Sequence, residues 1–358
     1  MRRRVLHLVG SPVSDFFQEL SLLYARDCLS ATADPDRWEP VLALVSPDGS
    51  WRFPTDLDPA AIAAAPRVGM DQAVQHLIGI RPHVAVPQMF CLPGMTTYRS
   101  LLDLLGIPFV GNDAATMALT AHKARARAIV AAAGVAVPTG ELLRAGQRTT
   151  LAPPIVVKPV DGDNSVGTSL VRDPADIEAA LDSALEHSAQ ALVERYVELG
   201  REVRCGVLVQ AGELVCLPLE EYAVNSNHPI RGYDDKISRT PTGDLRLVAK
   251  NTPRAWIVDP GDPVTGAVWQ AARTCHVALG CRDYSLFDFR IDPDGRPWFL
   301  EAGLYCSFAT TSVLSVMAGA AGITLPTLFQ QLVEPHLGTC SAGLNTPQRS
   351  GDQDAAPA

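Results

Sequence analysis

One stretch constrains this chain more than any other: Pro154-Ile155-Val156-Val157-Lys158-Pro159, then a small-residue segment from Gly162 to Gly167, then Leu170-Val171. The β-branched run Ile155 to Val157 fits a pleated strand better than a helix. The second apolar run is short and follows Asp163, Asn164 and Ser165. The pattern predicts strand, small-residue loop, strand, with Lys158 projecting from the first strand. Backbone N–H groups in such a loop can surround an anion, and phosphate is the obvious one. A Gly-x-x-x-x-Gly-Lys-Ser/Thr loop does not match, because no lysine follows Gly167. Small polar loops also turn hairpins without binding anything, so both readings stay open at this point.

The chain has 358 residues, enough for two or three domains. Hydrophobic residues make up 47% and charged residues 19%, a globular composition with ample core material. The net charge of -9 argues against general nucleic-acid binding, which needs a basic face to displace counterions. The eight cysteines are scattered and lack metal-site spacing, which suits reduced, buried thiols in a cytoplasmic protein. Arg2-Arg3-Arg4 precedes an apolar run too short for a signal peptide, and no window reaches the length of a membrane span.

Strands at Val5–Val9, Val41–Val45 and Val84–Val86 alternate with helical segments. They predict a small Rossmann-like α/β domain without a dinucleotide fingerprint. Ala114 to Ala133 reads as one Ala-rich helix carrying Lys123, Arg125 and Arg127. Ala191–Val197, Val203–Val209 and Leu214–Leu219 read as strands, the last two forming a hairpin. Tyr222 to Val248 is polar and long for a connecting loop, and long ordered loops are often functional. From Gly338 onward the composition is that of a disordered tail.

Asp288 and Glu301 flank the turn signal Asp292-Pro293-Asp294-Gly295. If the two strands pair across it, the carboxylates meet on one face. Two buried like charges need a cation or donors, and Mg²⁺ is the natural counter-ion beside phosphate. Exposed edge-strand acids and a glycosidase-type pair are the other readings.

Taken in order, these segments resemble the ATP-grasp ligases, most of all the D-alanine–D-alanine ligase branch. The resemblance runs from about residue 5 to about residue 335. It is carried by Gly106-Ile107-Pro108-Phe109-Val110-Gly111, His122-Lys123-Ala124-Arg125-Ala126-Arg127, the Lys158 strand and its loop, Glu194-Arg195-Tyr196-Val197, Gly200-Arg201-Glu202, Tyr233-Asp234-Asp235-Lys236, and the acids Asp288 and Glu301. It implies an ATP-grasp fold behind the Rossmann-like domain, divided at residues 1–112, 113–190, 191–337 and the tail 338–358. It implies ATP and Mg²⁺ as cofactors and a carboxylate–amine ligation through an acyl phosphate. Lys123, Lys158, Glu194, Tyr196, Val197, Glu202, Lys236 and Phe289 are the implied nucleotide contacts. Lys158, Lys236 and Ser165 are the implied catalytic groups, and Asp288 and Glu301 the metal ligands. Ser14, Asp15, Tyr305, Phe308 and Ser312 are the implied substrate contacts, and a homodimer is the implied assembly.

The chain also departs from the family. A glycine, Gly303, stands where the family has a metal-binding asparagine. Leu286 stands where it has an arginine that stabilises the tetrahedral intermediate, and leucine can neither donate a hydrogen bond nor carry charge. Phe90, Met95, Tyr98, Tyr305 and Phe308 make the substrate side more apolar, and Arg282 or Arg99 is the expected relocated cation. The expectation is an ADP-forming ligase whose substrates are small acids and amines other than two D-alanines. The alternatives are a true D-alanine–D-alanine ligase and a non-catalytic nucleotide-binding protein.

Overall fold

The computed structural model describes residues 2–162, 165–231, 237–239, 245–247 and 254–338. Lys236, with Tyr233 to Asp235, and the tail beyond Gly338 lie outside the described residues.

The N-terminal domain contains β1 (Arg3–Gly10), α1 (Asp15–Ala31), β2 (Trp38–Val45), β3 (Trp51–Arg52), α2 (Pro59–Ala64), α3 (Met70–Ile80), β4 (Val84–Pro87), α4 (Leu92–Met95) and α5 (Thr97–Leu104). Its sheet has the order β3-β2-β1-β4, with β1 parallel to both β2 and β4. Residues Val5 to Gly10 of β1 are all buried, as expected of a central parallel strand.

The expected Ala114–Ala133 helix is broken into α6 (Ala114–Ala121) and α7 (Lys123–Ala132). His122 leaves helical geometry, and its ring accepts the Arg125 N–H. The Lys123 N–H is then available to Val160, whose carbonyl it meets at 2.8 Å. The break therefore ties the lysine to the loop after the Lys158 strand.

A second sheet, ordered β5-β8-β6-β7, is formed by β5 (Gly140–Leu143), β6 (Ile155–Pro159), β7 (Ser169–Val171) and β8 (Ala191–Arg195), with α8 (Ile177–Leu185) against it. The predicted hairpin is present as antiparallel β6–β7. Gly167 adopts φ 68°, and a Cβ there would lie 2.8 Å from the His187 ring and 3.2 Å from the Ser183 carbonyl. A larger residue would have to adopt the left-handed region and push these neighbours away. Because β8 pairs with β5 and β6, the boundary expected after residue 190 falls one strand early.

The third sheet, β14-β11-β9-β15-β16 with β10 on β9, contains β9 (Arg201–Gln210), β10 (Glu213–Cys216), β11 (Glu220–Tyr222), β14 (Ala255–Ile257), β15 (Tyr284–Ile291) and β16 (Pro297–Ala302). The polar stretch after Tyr222 was expected to be a loop. It contains an antiparallel pair, β12 (Ile237–Arg239) and β13 (Leu245–Leu247). α9 (Val264–Ala278) covers the sheet, and α10 (Val313–Ala320) and α11 (Leu325–Val333) complete the chain. Met117, Ala126 and Val130 of α6 and α7 share one core with Val203, Phe287, Phe289 and Val268. These two helices thus belong with the third sheet rather than with a separate central unit. Among the described residues, no single helix is long and apolar enough to cross a membrane, and the cysteines are free.

A buried polar chain ties the first domain to the last. His7 Nδ1 donates to Gln88 Oε1 at 3.0 Å, and Gln88 Nε2 donates to the Ser307 carbonyl at 2.8 Å. An amide oxygen only accepts, so the proton sits on Nδ1. Burial pushes the His7 imidazole down to about 4, against the pull of the Gln88 hydrogen bond. The unfolded chain protonates this ring at its ordinary value near 6.5, so acidification favours unfolding between about pH 6.5 and about pH 4, by about 3 kcal/mol in total. His7→Asn is expected to melt earlier at neutral pH yet lose less stability on acidification. Thermal unfolding across that pH window checks it, and an unchanged slope contradicts it.

Candidate functional site

On β9 and β15 alternate residues share a face. Direct register partners in an antiparallel pair lie side by side on that face. Arg204 pairs with Asp288, Glu202 with Arg290, and Gly206 with Leu286. On the other edge of β15, Asp288 is set opposite Glu301 of β16 by a register shift between Asp288 and Phe289; the regular register running out from the turn, with Phe289 opposite Phe299, would have placed it opposite Leu300. Val203, Cys205, Phe287 and Phe289 point the other way, into the core. Phe289 is fully buried there and lines neither cavity described below, which corrects its assignment to the nucleotide.

Two cavities meet at this face. The narrower, about 100 Å³, is lined by Lys123, Lys158, Ser165, Glu194, Tyr196, Val197, Glu202 and Glu301, among others. It therefore gathers the expected nucleotide contacts that lie within the described residues, apart from Phe289. Lys158 Nζ lies 2.6 Å from Glu194 Oε2, and Arg127 Nε lies 3.2 Å from Glu194 Oε1. Lys123 Nζ donates to the Gly162 carbonyl and stands 3.3 Å from Glu301 Oε2. Ser165 adopts φ 60°, an uncommon backbone for a non-glycine residue, at the bend of the loop.

The larger cavity, about 1200 Å³, opens towards the N-terminal domain. Its apolar wall includes Phe16, Phe17, Tyr24, Phe90, Met95 and Tyr305, and its far end holds Ser312 at the start of α10. Of the expected substrate contacts, Tyr305 and Ser312 line this cavity. Ser14 and Asp15 are not part of this lining: Ser14 caps α1 by accepting the Phe17 N–H, and Asp15 is exposed in the first turn. Their neighbours Val13, Phe16 and Phe17 face the cavity instead. Phe308 is buried edge-on against Tyr284 and Phe329, and Tyr98 packs on Trp51, so neither lines it.

The expected relocated cations are also elsewhere. Arg99 donates to the Asn112 carbonyl and Arg282 to the Gly111 carbonyl, both beside Phe109. The guanidiniums beside the acids Glu202 and Asp288 include Arg204, Arg231 and Arg290. Arg204 grips Asp288 through Nε and Nη2, and Arg231 Nη2 reaches Asp288 at 3.3 Å. Arg231 and Arg290 hold Glu202 at 2.7 and 2.8 Å. Burial works against the Glu202 charge, yet these two guanidiniums keep its carboxyl below the ordinary carboxylate value. Period-two alternation would have placed 202 and 204 on one face, but that Asp288 lies opposite Arg204 is a fact of register.

A divalent cation fits the two acids unequally. Both Asp288 oxygens are engaged by guanidiniums, and its side chain is 5% exposed. The Glu301 side chain is 29% exposed and lines both cavities. Glu301 is therefore a suitable oxygen donor for a metal, and Asp288 is not.

Residues 140–334 match the family model described as the D-ala D-ala ligase C-terminus. A D-alanine–D-alanine ligase of Citrifermentans bemidjiense is 31% identical over 240 residues, 66% of this chain and 72% of that one. One of Mycolicibacterium smegmatis is 30% identical over 349 residues, 87% of this chain and 91% of that one. Among solved structures, the VanG D-Ala:D-Ser ligase of Enterococcus faecalis superposes with a TM-score of 0.76 at 21% identity, covering 94% of this chain and 100% of that one. A D-alanine–D-alanine ligase of Bacillus anthracis, complexed with ATP, gives 0.70 at 18% identity over 94% and 98%. Sequence and architecture agree: the chain belongs to the D-alanine–D-alanine ligase family of ATP-grasp enzymes, ADP-forming peptide ligases.

Proposed function

We propose that this chain joins two amino acids, cleaving ATP to ADP and phosphate, through an acyl phosphate of the first amino acid. The observation that carries the reading is the junction of the two cavities. Lys123, Gly162, Val166, Arg231, Asp288 and Glu301 line both. Phosphates held by Lys158 and Lys123 in the narrow cleft thus end where a carboxylate in the wide cavity begins. Cations fixed around that point favour the charge that develops during phosphoryl transfer. Magnesium accompanying the nucleotide would be held by Glu301, where it would neutralise phosphate charge. The Ser165 loop and the apolar wall keep water from the acyl phosphate, which it would otherwise hydrolyse. The N–H groups at the start of α10, with Ser312, suit the carboxylate of the second amino acid. Lys236, outside the described residues, remains the proposed third phosphate lysine.

For the amino acids themselves, the names of the relatives favour D-alanine in both positions over the expectation drawn from Leu286 and Gly303. A specific observation supports a second reading. An added Cβ at Gly303 would meet only Leu286 Cδ2, at 4.0 Å, so space is open beside the aromatic wall. That suits one larger, apolar amino acid. ADP release with Mg-ATP decides, measured with D-alanine alone and with D-alanine plus leucine or phenylalanine of either hand, and with product masses recorded. ADP and a D-alanine dipeptide from D-alanine alone support the first reading. Turnover only with a bulky partner supports the second. No ADP from any combination overturns the ligase reading.

A further inference from the structure

The Asp288 carboxylate is gripped on both oxygens before any ligand arrives. Arg204, its register partner on β9, donates through Nε to one oxygen and through Nη2 to the other, the latter at 2.8 Å. Such a fork is among the strongest charge-assisted contacts. Arg231 Nη2 adds a third donor at 3.3 Å and is itself tied to Glu202 at 2.7 Å. The Tyr222 ring lies 3.6 Å from the Arg231 guanidinium carbon and 5.6 Å from that of Arg204, closing the group. The Arg204 side chain is 18% exposed and that of Asp288 5%. Withdrawing Asp288 to a metal would leave two guanidiniums short of their counter-charge where little water reaches. An arriving dication would also face both of them at close range.

Phosphoryl-transfer sites commonly clamp their oxygens with two metal ions, and an adjacent acid pair is the sort of site that could hold them. Here the pair is divided. We propose that Arg204, with Arg231 beside it, is a resident cation that occupies Asp288 in place of a second divalent metal, so that the nucleotide binds with a single metal ion, on Glu301. The proposal rests on the reading of the chain as an ATP-dependent ligase. Arg204 also lines the wide cavity, where the substrate carboxylate meets the transferable phosphate. Its planar guanidinium is always charged and offers several donors to oxygens there without having to be loaded. It supplies positive charge to a face on which Leu286 supplies none.

The test counts metal ions directly. The full chain is titrated with Mn²⁺ in the presence of the β,γ-imido analogue of ATP. Free Mn²⁺ is read by electron paramagnetic resonance and bound analogue by equilibrium dialysis. The proposal expects one Mn²⁺ per bound analogue in the wild type and in Arg204→Lys, and two in Arg204→Gln. Two in the wild type overturn it, as does a single ion in a folded Arg204→Gln. Should Arg204→Gln fail to fold, the wild-type count decides alone. No binding of the analogue at any Mn²⁺ concentration overturns the ligase reading, and the proposal with it.

Discussion

Lys158→Met is expected to lower ADP formation by about 10²–10³-fold, the usual effect of removing one fixed charge-stabilising group from a phosphoryl or acyl transfer site. The same change acts on stability. Lys158 lies 2.6 Å from Glu194, whose side chain is 3% exposed, and among the described residues Arg127 remains to balance that acid. Breaking a buried pair by removing one partner costs about 3–5 kcal/mol, and the surviving Arg127 contact places the expected loss at the low end. The two effects separate in a double variant. Lys158→Met with Glu194→Gln leaves no uncompensated carboxylate, so the melting temperature returns towards that of the wild type while ADP formation stays low. Thermal unfolding and steady-state ADP release on the wild type and the two variants check this. Recovery of activity together with stability would mean that Lys158 serves only the fold.

The two acids of the site are expected to fail in opposite ways. Glu301→Gln removes the partly exposed carboxylate at the junction of the cavities, so ADP formation falls about 10³-fold. Its contact to Lys123 is 3.3 Å and partly solvated, so losing that contact costs under about 1 kcal/mol and the destabilisation stays below that of the buried acid. Asp288→Asn strips the charge from a carboxylate that balances Arg204 and Arg231, and destabilises the fold by about 3–5 kcal/mol. Chemical denaturation and ADP release measured side by side on both variants check the contrast. Equal losses of stability would contradict the division of roles between Asp288 and Glu301.

The parts of this architecture legible in the sequence were those set by neighbouring residues. The β-branched run before Lys158 and the glycines after it specify the β6–β7 hairpin locally. The turn signal at Asp292 to Gly295 fixes that β15 and β16 pair, whereas the register shift that sets Asp288 opposite Glu301 instead of Leu300 is announced by no local pattern. What stayed hidden depends on tertiary contacts. Arg204 gains its meaning from Asp288, 84 positions away, through the register of β9 on β15. Phe289 was implied as a nucleotide contact by the family resemblance, but strand alternation turns it to the opposite face from Asp288. The break between α6 and α7 lies in a run of good helix formers. It is stabilised by the Lys123 N–H bond to Val160, a contact that no local pattern announces. The aromatic wall contributed by Phe16 and Phe17 of α1 was missed because which side of a helix faces a cavity is set by tertiary packing.

Attack of a substrate carboxylate on the terminal phosphate of ATP is the central claim, and isotope transfer tests it most directly. The amino acid that supports ADP release is prepared with oxygen-18 in its carboxylate and turned over with unlabelled Mg-ATP and an amine acceptor. An acyl-phosphate route moves one carboxylate oxygen to phosphorus before the amine displaces it. Mass spectrometry should therefore find one oxygen-18 in each inorganic phosphate released. Unlabelled phosphate, formed along with ADP and the amide product, would contradict the account.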